Sequence, residues 1–327
     1  IAVSANSHKV IHNLLERIEN IAINQDFVFK GLKKGNPNDI DSFYDGKLIK
    51  TESNERKYID GLKDNKILLY AGTKYHLASW YYRSKIDYLF IEEASQFSLA
   101  DLISLGGITK NIVLVGDQQQ LGQPTQGSHP NLSGNSVLEY LLKGKDTVPA
   151  DMGIFLTRTH RMHPNINSFI SENFYENKLL TNPQNQNRKI DFPKNFFINN
   201  QGIHTVLMDH EDCQQTSEQE FKKIDEIIKK LIGKNFTDVN KKVRSLTIKD
   251  FLIVAPYNAQ VNFLLARLPE GTRCGTIDRF QGQEAPITII SMTSSDLESL
   301  PRNKSFFFNS NRLNVAISRA QCLSIIL

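Results

Sequence analysis

Two adjacent acids, Glu92 and Glu93, follow the apolar run Tyr88-Leu89-Phe90-Ile91 in the stretch "YLFIEEASQ". Such a run reads as a buried strand. Carboxylates at its end suit one of two arrangements. They can hold a hard cation and polarise a water, because Mg²⁺ takes oxygen ligands and keeps most of its waters, or they can be two solvated charges at the mouth of a loop. Other apolar runs are flanked by polar groups in the same way. "GDQQQLGQP" follows Val115, "TRTHRMHP" follows Leu156 and "PYNAQ" follows Ala255, while "TIDRFQGQE" precedes "ITII" and "NRLNVAISRAQ" precedes the last apolar run. Each alone has an ordinary structural reading: a solvated acid, a Gly-Asp turn, or a surface arginine in an ion pair worth under about 1 kcal/mol. His160 and His163 have the spacing of a metal pair. No third and fourth ligands stand near them, however, and Pro164 follows directly.

The elements that must position these residues are legible as an alternation. Short continuous apolar runs, "IAVS" (1–4), "ILLYA" (67–71), "YLFI" (88–91), "IVLV" (112–115), "TVLM" (205–208), "FLIVA" (251–255), "ITIIS" (287–291) and "LSIIL" (323–327), predict parallel strands covered on both faces. Amphipathic stretches lie between them. In "NSHKVIHNLLERI", Val10, Ile11, Leu14, Leu15 and Ile18 share one helical face, with Asn6 or Ser7 as N-cap. In "SEQEFKKIDEIIKKLI" the same holds for Phe221, Ile224, Ile227, Ile228 and Leu231. The class is therefore α/β, with crossover helices between parallel strands. Polar residues 26–66 read as an insertion, partly helical, and residues 181–203 as a surface connector. The 327 residues suffice for two domains. A net charge of +4 permits a nucleic-acid partner without arguing for one. Cys213, Cys274 and Cys322 lack CxxC spacing and read as reduced thiols of an intracellular protein. No apolar run approaches the length of a membrane span, about 18 residues. Because the chain opens and closes inside apolar runs, it is expected to be a fragment of a longer polypeptide.

The order and spacing of the motifs are more specific than any one of them. "AGTKYHLA…DYLFIEEASQFSLAD", "LVGDQQQLGQPTQGSHP", "RTHRMHPNINSFISENFYENKL" and "TIDRFQGQEAPITIISMTSS…NRLNVAISRAQC" resemble superfamily 1 helicases of the 5′-to-3′ branch. That group contains the nonsense-mediated-decay RNA helicase and the nuclease–helicase of Okazaki-fragment maturation. Within it, the motifs are most similar to bacterial proteins that fuse a RecB-like nuclease to such a helicase. The resemblance runs from residue 1 to 327 and is weakest over 26–66 and 181–250. It implies two RecA-like domains with mainly parallel sheets, 1–156 (incomplete at its N-terminus) and 157–327, with ATP and Mg²⁺ as cofactors.

The resemblance also implies roles. Glu92 holds the metal, where relatives usually have Asp, and Glu93 polarises the attacking water. Asp117 and Gln120 sense the γ-phosphate, and Gln118 stands where relatives commonly carry Pro. Arg161 and Arg319 deliver positive charge to the transferring phosphoryl group, for which a planar guanidinium is well suited. Gly282 permits close backbone approach, Glu284 contacts the ribose, Gln281 couples nucleotide to nucleic acid, and Tyr257 lies at the nucleotide. Ser4, Ala5, Asn6, Gly72, Thr73 and Asn258 face a single strand of DNA, or of RNA, and grip its backbone without reading bases. The expected protein is a cytoplasmic monomer without membrane contact, joined in its parent chain to an upstream RecB-like nuclease domain.

One part is missing. The phosphate-binding loop GxxxxGK[ST] occurs nowhere, since Gly46-Lys47, Gly144-Lys145 and Gly233-Lys234 all lack a following Ser or Thr. In relatives that loop lies one helix upstream of "VSANS". Without its amide cradle and lysine, ATP loses most of its phosphate contacts, so the chain by itself is expected to hydrolyse ATP negligibly. The competing reading is a catalytically silent nucleic-acid-binding module. A small-molecule kinase would need a substrate pocket in place of "RFQGQE" and "NVAISRA".

Overall fold

Ser7 begins the first helix, accepting a hydrogen bond from Val10 N (3.3 Å) in helix α1 (His8–Asn24). Ile11, Leu15 and Ala22 of this helix are buried against Val3 of strand β1 (Ala2–Ser4) and Leu69 and Ala71 of β4 (Ile67–Ala71), so the 3.6-residue stripe seen in the sequence is the packing face. The computed structural model describes residues 1–123, 130, 133–193, 196–280, 282–295 and 309–327. It divides into two compact units, Ile1–Gln118 with Gly122–Lys145, and Gln119–Leu121 with Asp146–Leu327.

The first unit is built on one six-stranded sheet. Strands β2 (Lys30–Lys34), β3 (Ile49–Glu52), β5 (Ile86–Glu92) and β6 (Thr109–Val115) complete the order β3-β2-β4-β1-β5-β6, with every pairing parallel. Its helices are α1, α2 (Glu55–Gly61), α3 (Lys74–Leu77), α4 (Leu99–Leu105) and α5 (Val137–Leu142).

Residues 26–66 are not an appendage to this sheet: they contribute two of its six strands and α2. Polar composition hid them. Lys33 of β2 is fully buried, its ammonium donating to Ser42 O and Lys34 O and lying 3.3 Å from His8 Nδ1. Gly31 admits Ile49 so closely that a Cβ there would lie 2.6 Å from Ile49 Cγ1. The start of β3 is held by a buried carboxylate, Glu19 of α1. Leu48 N and Ile49 N each donate to its Oε1 (2.7 Å), and Lys47 N (3.2 Å) and Tyr44 Oη (2.9 Å) donate to its Oε2. The expectation of strands covered on both faces also fails here. Tyr88 of β5 is 48% exposed and Ile112 of β6 is 37% exposed, β6 being an edge strand.

The second unit has a five-stranded parallel sheet in the order β10-β16-β15-β13-β14, from β10 (Gly202–Thr205), β13 (Phe251–Val254), β14 (Arg273–Gly275), β15 (Ala285–Ile290) and β16 (Ala320–Ile326). Here both faces are covered. Phe251 and Ile253 enter one core with Ile224, Ile228 and Leu231 of α7 (Glu218–Leu231), and Leu252 and Val254 enter another with Ile166 and Ile170 of α6 (Pro164–Phe174). Helices α8 (Asn258–Leu265) and α9 (Ser310–Ser318) also belong to this unit. A parallel pair, β7 (Arg158–Thr159) with β8 (Leu180–Thr181), and an antiparallel set β12-β11-β9, of Val243–Ser245, Asn235–Thr237 and Lys189–Asp191, lie outside the main sheet. Residues 181–203 thus hold strand pairing as well as connection, with Asn185 and Arg188 buried. The strand expected at 205–208 sits earlier, at Gly202–Thr205. The class is α/β with mainly parallel sheets, as the alternation of runs and helices requires.

Candidate nucleotide and nucleic-acid site

In the first unit, parallel register brings the expected residues to one edge. Val3 pairs with Ala71, Ser4 with Ile91 and Glu92 with Val115, so the carboxyl ends of β4, β1, β5 and β6 are level. Gly72-Thr73, Ser4-Ala5-Asn6, Glu92-Glu93 and Gly116-Asp117 therefore occupy adjacent strand ends, the edge where open α/β sheets bind ligands.

Local chemistry locks this edge. Glu93 adopts the left-handed conformation (φ 56°, ψ 48°), which costs a non-glycine residue about 1 kcal/mol and turns the chain sharply after Glu92. Gly116 fits beneath that turn, where a Cβ would lie 2.8 Å from Ala94 N and 3.1 Å from Ser95 N. The glycine of "VGD" is thus required by close backbone approach. Asn6 Nδ2 donates to Gln96 O (2.6 Å) and ties the end of β1 to the same turn. Ser4 and Ala5 are fully buried, which takes their side chains away from any surface strand; Asn6 remains partly exposed.

Burial raises the Glu92 carboxyl above its usual range, the adjacent Glu93 charge raises it further, and Arg17 opposes both. Carboxylates in such a place are relieved by a cation. No group of three or more His, Cys, Asp or Glu side chains that could hold a metal occurs among the described residues. Magnesium carried on phosphate oxygens needs only one or two carboxylates. The side-chain oxygens of Ser4, Asn6 and Ser95 are buried beside the pair without hydrogen-bond partners, so this edge holds unspent polar capacity. Glu92 and its surroundings fit a hydrated Mg²⁺.

The second unit distributes its residues differently. Arg161 Nε donates to Glu284 Oε2 (2.6 Å) and Arg161 Nη1 to Ser318 O (3.3 Å), while Gln321 Nε2 donates to Glu284 Oε1 (2.7 Å). Arg188, buried, donates to the carbonyl of Arg161 at 2.5 Å. Burial alone would raise the Glu284 carboxyl; the hydrogen bond and charge of Arg161, with the Gln321 hydrogen bond and the Arg188 charge, together outweigh it, so the net direction is down. Arg319 caps the end of α9 beside Ser318 and is buried. Because Ala285 pairs with Ala320, the residues Gly282, Glu284, Arg161 and Arg319 gather at the amino ends of β15 and β16. Gly282 has φ +74°, the left-handed conformation that glycine adopts freely.

Tyr257 and Asn258 do not join that group. They follow the carboxyl end of β13, whose Val254 pairs with Ile290, so they lie across the height of the sheet from Glu284. Gln120 groups with the second unit, its carbonyl accepting from Asn311 Nδ2 (2.9 Å), while Asp117 belongs to the first. The expected coupling residue Gln281 lies outside the described residues. His163 is the N-cap of α6, its Nδ1 accepting from Asn165 N at 3.1 Å.

Several residues escaped the sequence reading. Asn311 and Asn314 of α9 hold the carbonyls of Gln120 and Gln119 (2.9 and 2.7 Å). Glu220, fully buried, accepts from Thr293 N (2.7 Å) and from the Ser291 hydroxyl, with His210 Nε2 at 3.4 Å. The signal for Asn314 was available: an asparagine placed on the apolar face of "NRLNVAIS".

Residues 134–327, more than half of the chain, match the AAA domain family AAA_12, and the chain belongs to that family. Among curated relatives it is 29% identical over 255 residues to the uncharacterized ATP-dependent helicase C05C10.2 of Caenorhabditis elegans (72% of this chain, 15% of that protein). It is 28% identical to the DNA polymerase alpha-associated DNA helicase A of Schizosaccharomyces pombe (72% and 36%), and 29% identical to the DNA replication ATP-dependent helicase/nuclease DNA2 of Gallus gallus (73% and 22%). The chain thus spans well under half the length of each. Among solved structures, an arterivirus nonstructural protein 10 helicase in complex with DNA covers 99% of this chain and 53% of its own, with 13% identity and a TM-score of 0.51, a likeness of fold. These similarities agree with the superfamily 1 helicase resemblance of the motifs. Among the described residues no helix is long and apolar enough to cross a membrane.

Proposed function

We propose that this chain is the motor portion of a superfamily 1 helicase, in which ATP hydrolysis drives movement along single-stranded DNA or RNA and unwinding of a duplex. The observation that carries the proposal is the level edge of the first sheet, where four neighbouring strands end in Gly72-Thr73, Ser4–Asn6, Glu92-Glu93 and Gly116-Asp117. Residues 1–156 and 157–327 would be its two RecA-like domains. Glu92 would hold Mg²⁺, one methylene further from the backbone than an aspartate, and Glu93 would orient and deprotonate the attacking water. Asp117 and Gln120 would report the γ-phosphate, and Arg161 and Arg319 would place positive charge on the phosphoryl oxygens. Magnesium-bound ATP supplies the phosphoanhydride and partial neutralisation of its charge. Gly282 and Glu284 would contact the nucleotide, and Asn6, Gly72 and Thr73 would bear on the nucleic-acid backbone; Tyr257 and Asn258, at the opposite end of the sheet from Glu284, are not assigned to that nucleotide contact.

A RecB-like nuclease domain in the parent chain belongs to the same proposal, and the helicase/nuclease name of the Gallus gallus relative supports it. Since GxxxxGK[ST] is absent from these 327 residues, the chain alone should bind a single strand but turn over ATP negligibly. The test is fluorescence anisotropy with dT and rU oligonucleotides, followed by ATPase assay of the chain and of a longer form that carries the loop. Strand-stimulated hydrolysis by the longer form, abolished by Glu93→Gln, is expected. A silent binding module is the second reading, favoured by Glu92 at a place where the resembled family usually has Asp. It predicts strand binding with no stimulated hydrolysis in either form.

A further inference from the structure

The turn after β4 presents one side chain to solvent while anchoring its neighbours. Gly72 approaches His76 so closely that a Cβ there would lie 2.8 Å from His76 Cδ2. Lys74 is buried, with Nζ 2.5 Å from Asp101 Oδ2 and 5.4 Å from the centre of the Phe97 ring. His76 Nε2 is 2.7 Å from Tyr82 Oη, which in turn lies 2.5 Å from Tyr58 Oη, and both tyrosines are fully buried. Leu77 is buried as well. Between these fixed points Tyr75 is 80% exposed.

A large aromatic side chain on a rigid turn, two residues from Thr73, has no packing role in the unit. An exposed, preorganised ring beside a backbone-gripping turn has the chemistry of a base-stacking surface, since every nucleobase offers a π-face irrespective of sequence. Lys74 Nζ, 5.3 Å from the centre of the Tyr75 ring, adds a fixed positive charge beside it.

We propose that Tyr75 is a stacking platform for one base of the single strand held at the Gly72-Thr73 turn. Its neighbours Lys74 and His76 position the turn and do not themselves touch the strand. The assignment rests on the nucleic-acid reading above and adds a residue and an interaction type to it, because the contacts assigned there are to the backbone alone.

The experiment compares the wild-type chain with Tyr75→Ala, Tyr75→Leu and Tyr75→Phe, using a fluorescein-labelled dT12 strand and a fully abasic strand of the same length. The high exposure of Tyr75 means the variants should keep the fold, checked by circular dichroism. Roughly tenfold weaker binding of dT12 is expected for Ala and Leu, with Phe close to wild type and no difference among the four proteins on the abasic strand. A 2-aminopurine in the strand should be quenched by wild type and Phe but not by Ala. Unchanged dT12 binding in Tyr75→Ala, or an equal loss on the abasic strand, overturns the stacking role while leaving the nucleic-acid reading intact. Failure of the wild-type chain to bind dT12 overturns both.

Discussion

The two sheets solve the same positioning problem in opposite ways. In the first unit the acids and polar turns stand at the carboxyl edge with capacity to spare. Glu92 is pushed towards its neutral form, and Ser4, Asn6 and Ser95 keep buried oxygens without partners. In the second unit one charged pair is already answered: Arg161 by Glu284 and Ser318 O, and Glu284 again by Gln321. Its sheet is covered on both faces, whereas β5 and β6 leave Tyr88 and Ile112 partly bare. The difference teaches that a charged group can be held by burial beside a like charge, as Glu92 is, or by pairing with an opposite one, as Glu284 is.

The sharpest test of this contrast removes a buried anchor from the second unit alone. Glu220→Ala strands the Thr293 amide, removes the carboxylate beside His210 and takes one of three partners from the Ser291 hydroxyl, at a cost on the order of 3 kcal/mol. The chain has a single tryptophan, Trp80, in the first unit. Urea unfolding of this variant should therefore show the far-ultraviolet signal falling well before the Trp80 fluorescence changes. Coincident transitions would mean that the two units do not unfold independently.

Acid should then act on the first unit. Burial lowers His76 from 6.5 to about 3 and His12 to about 4. Between those values and 6.5 the unfolded chain binds more protons than the folded one, so stability is complete above about pH 6.5 and declines as pH falls towards 4. The Trp80 transition should move to lower urea over that range, and His76→Gln should flatten the dependence. His163 in the second unit is lowered to about 4 by burial and then by Arg188, so some decline is expected there too, and persists in His76→Gln.

A smaller effect has the opposite sign. The raised Glu92 carboxyl means that the folded state holds its proton more tightly than the unfolded chain, so this group lowers stability as pH rises through and above its ordinary value of 4.5. Glu92→Gln should raise the melting temperature at pH 7 by roughly 1–3 °C while abolishing any magnesium-dependent activity of a longer form. The smallest effect is expected for Arg161→Ala, whose ion pair is partly exposed on both sides. Its loss should change folding stability by less than about 1 kcal/mol, read by the same urea titration. A large destabilisation would place Arg161 with the structural groups.

Much of this was legible in the chain. The apolar runs gave most of the parallel strands, Ser7 and Ser217 capped the helices that their patterns predicted, and the acids after "YLFI" fell at a strand end. Register then set Glu92 beside Ser4 and Gly72, which no spacing in one dimension could reveal. Strand β2 was missed because its inward positions are filled by Gly31 and Lys33, and a buried lysine with three acceptors looks like a surface charge in sequence; β3 and the short strands β7, β8, β9, β11, β12 and β14 carry no continuous apolar run to announce them. The separation of Tyr257 from Glu284 was hidden for a related reason: both flank strands of one sheet, but one follows its strand and the other precedes it.

The hold of Glu19 on residues 44–49 carries a consequence for the order of folding. Its acceptor atoms lie 25 to 30 positions earlier in the chain than the groups they bind. Gly46 is fitted so tightly that a Cβ there would lie 2.3 Å from the carboxylate oxygens. The register of β3 therefore depends on a docked helix α1, and β3 is the outer neighbour of β2 in the sheet, so the expected order is helix first and outer strand later. The outer strands should be late arrivals, with φ-values near zero at Ile49 and Thr51 when folding rates are compared across substitutions. A peptide of residues 26–66 alone should have no stable strand structure, because the template that aligns it belongs to a helix completed before it begins.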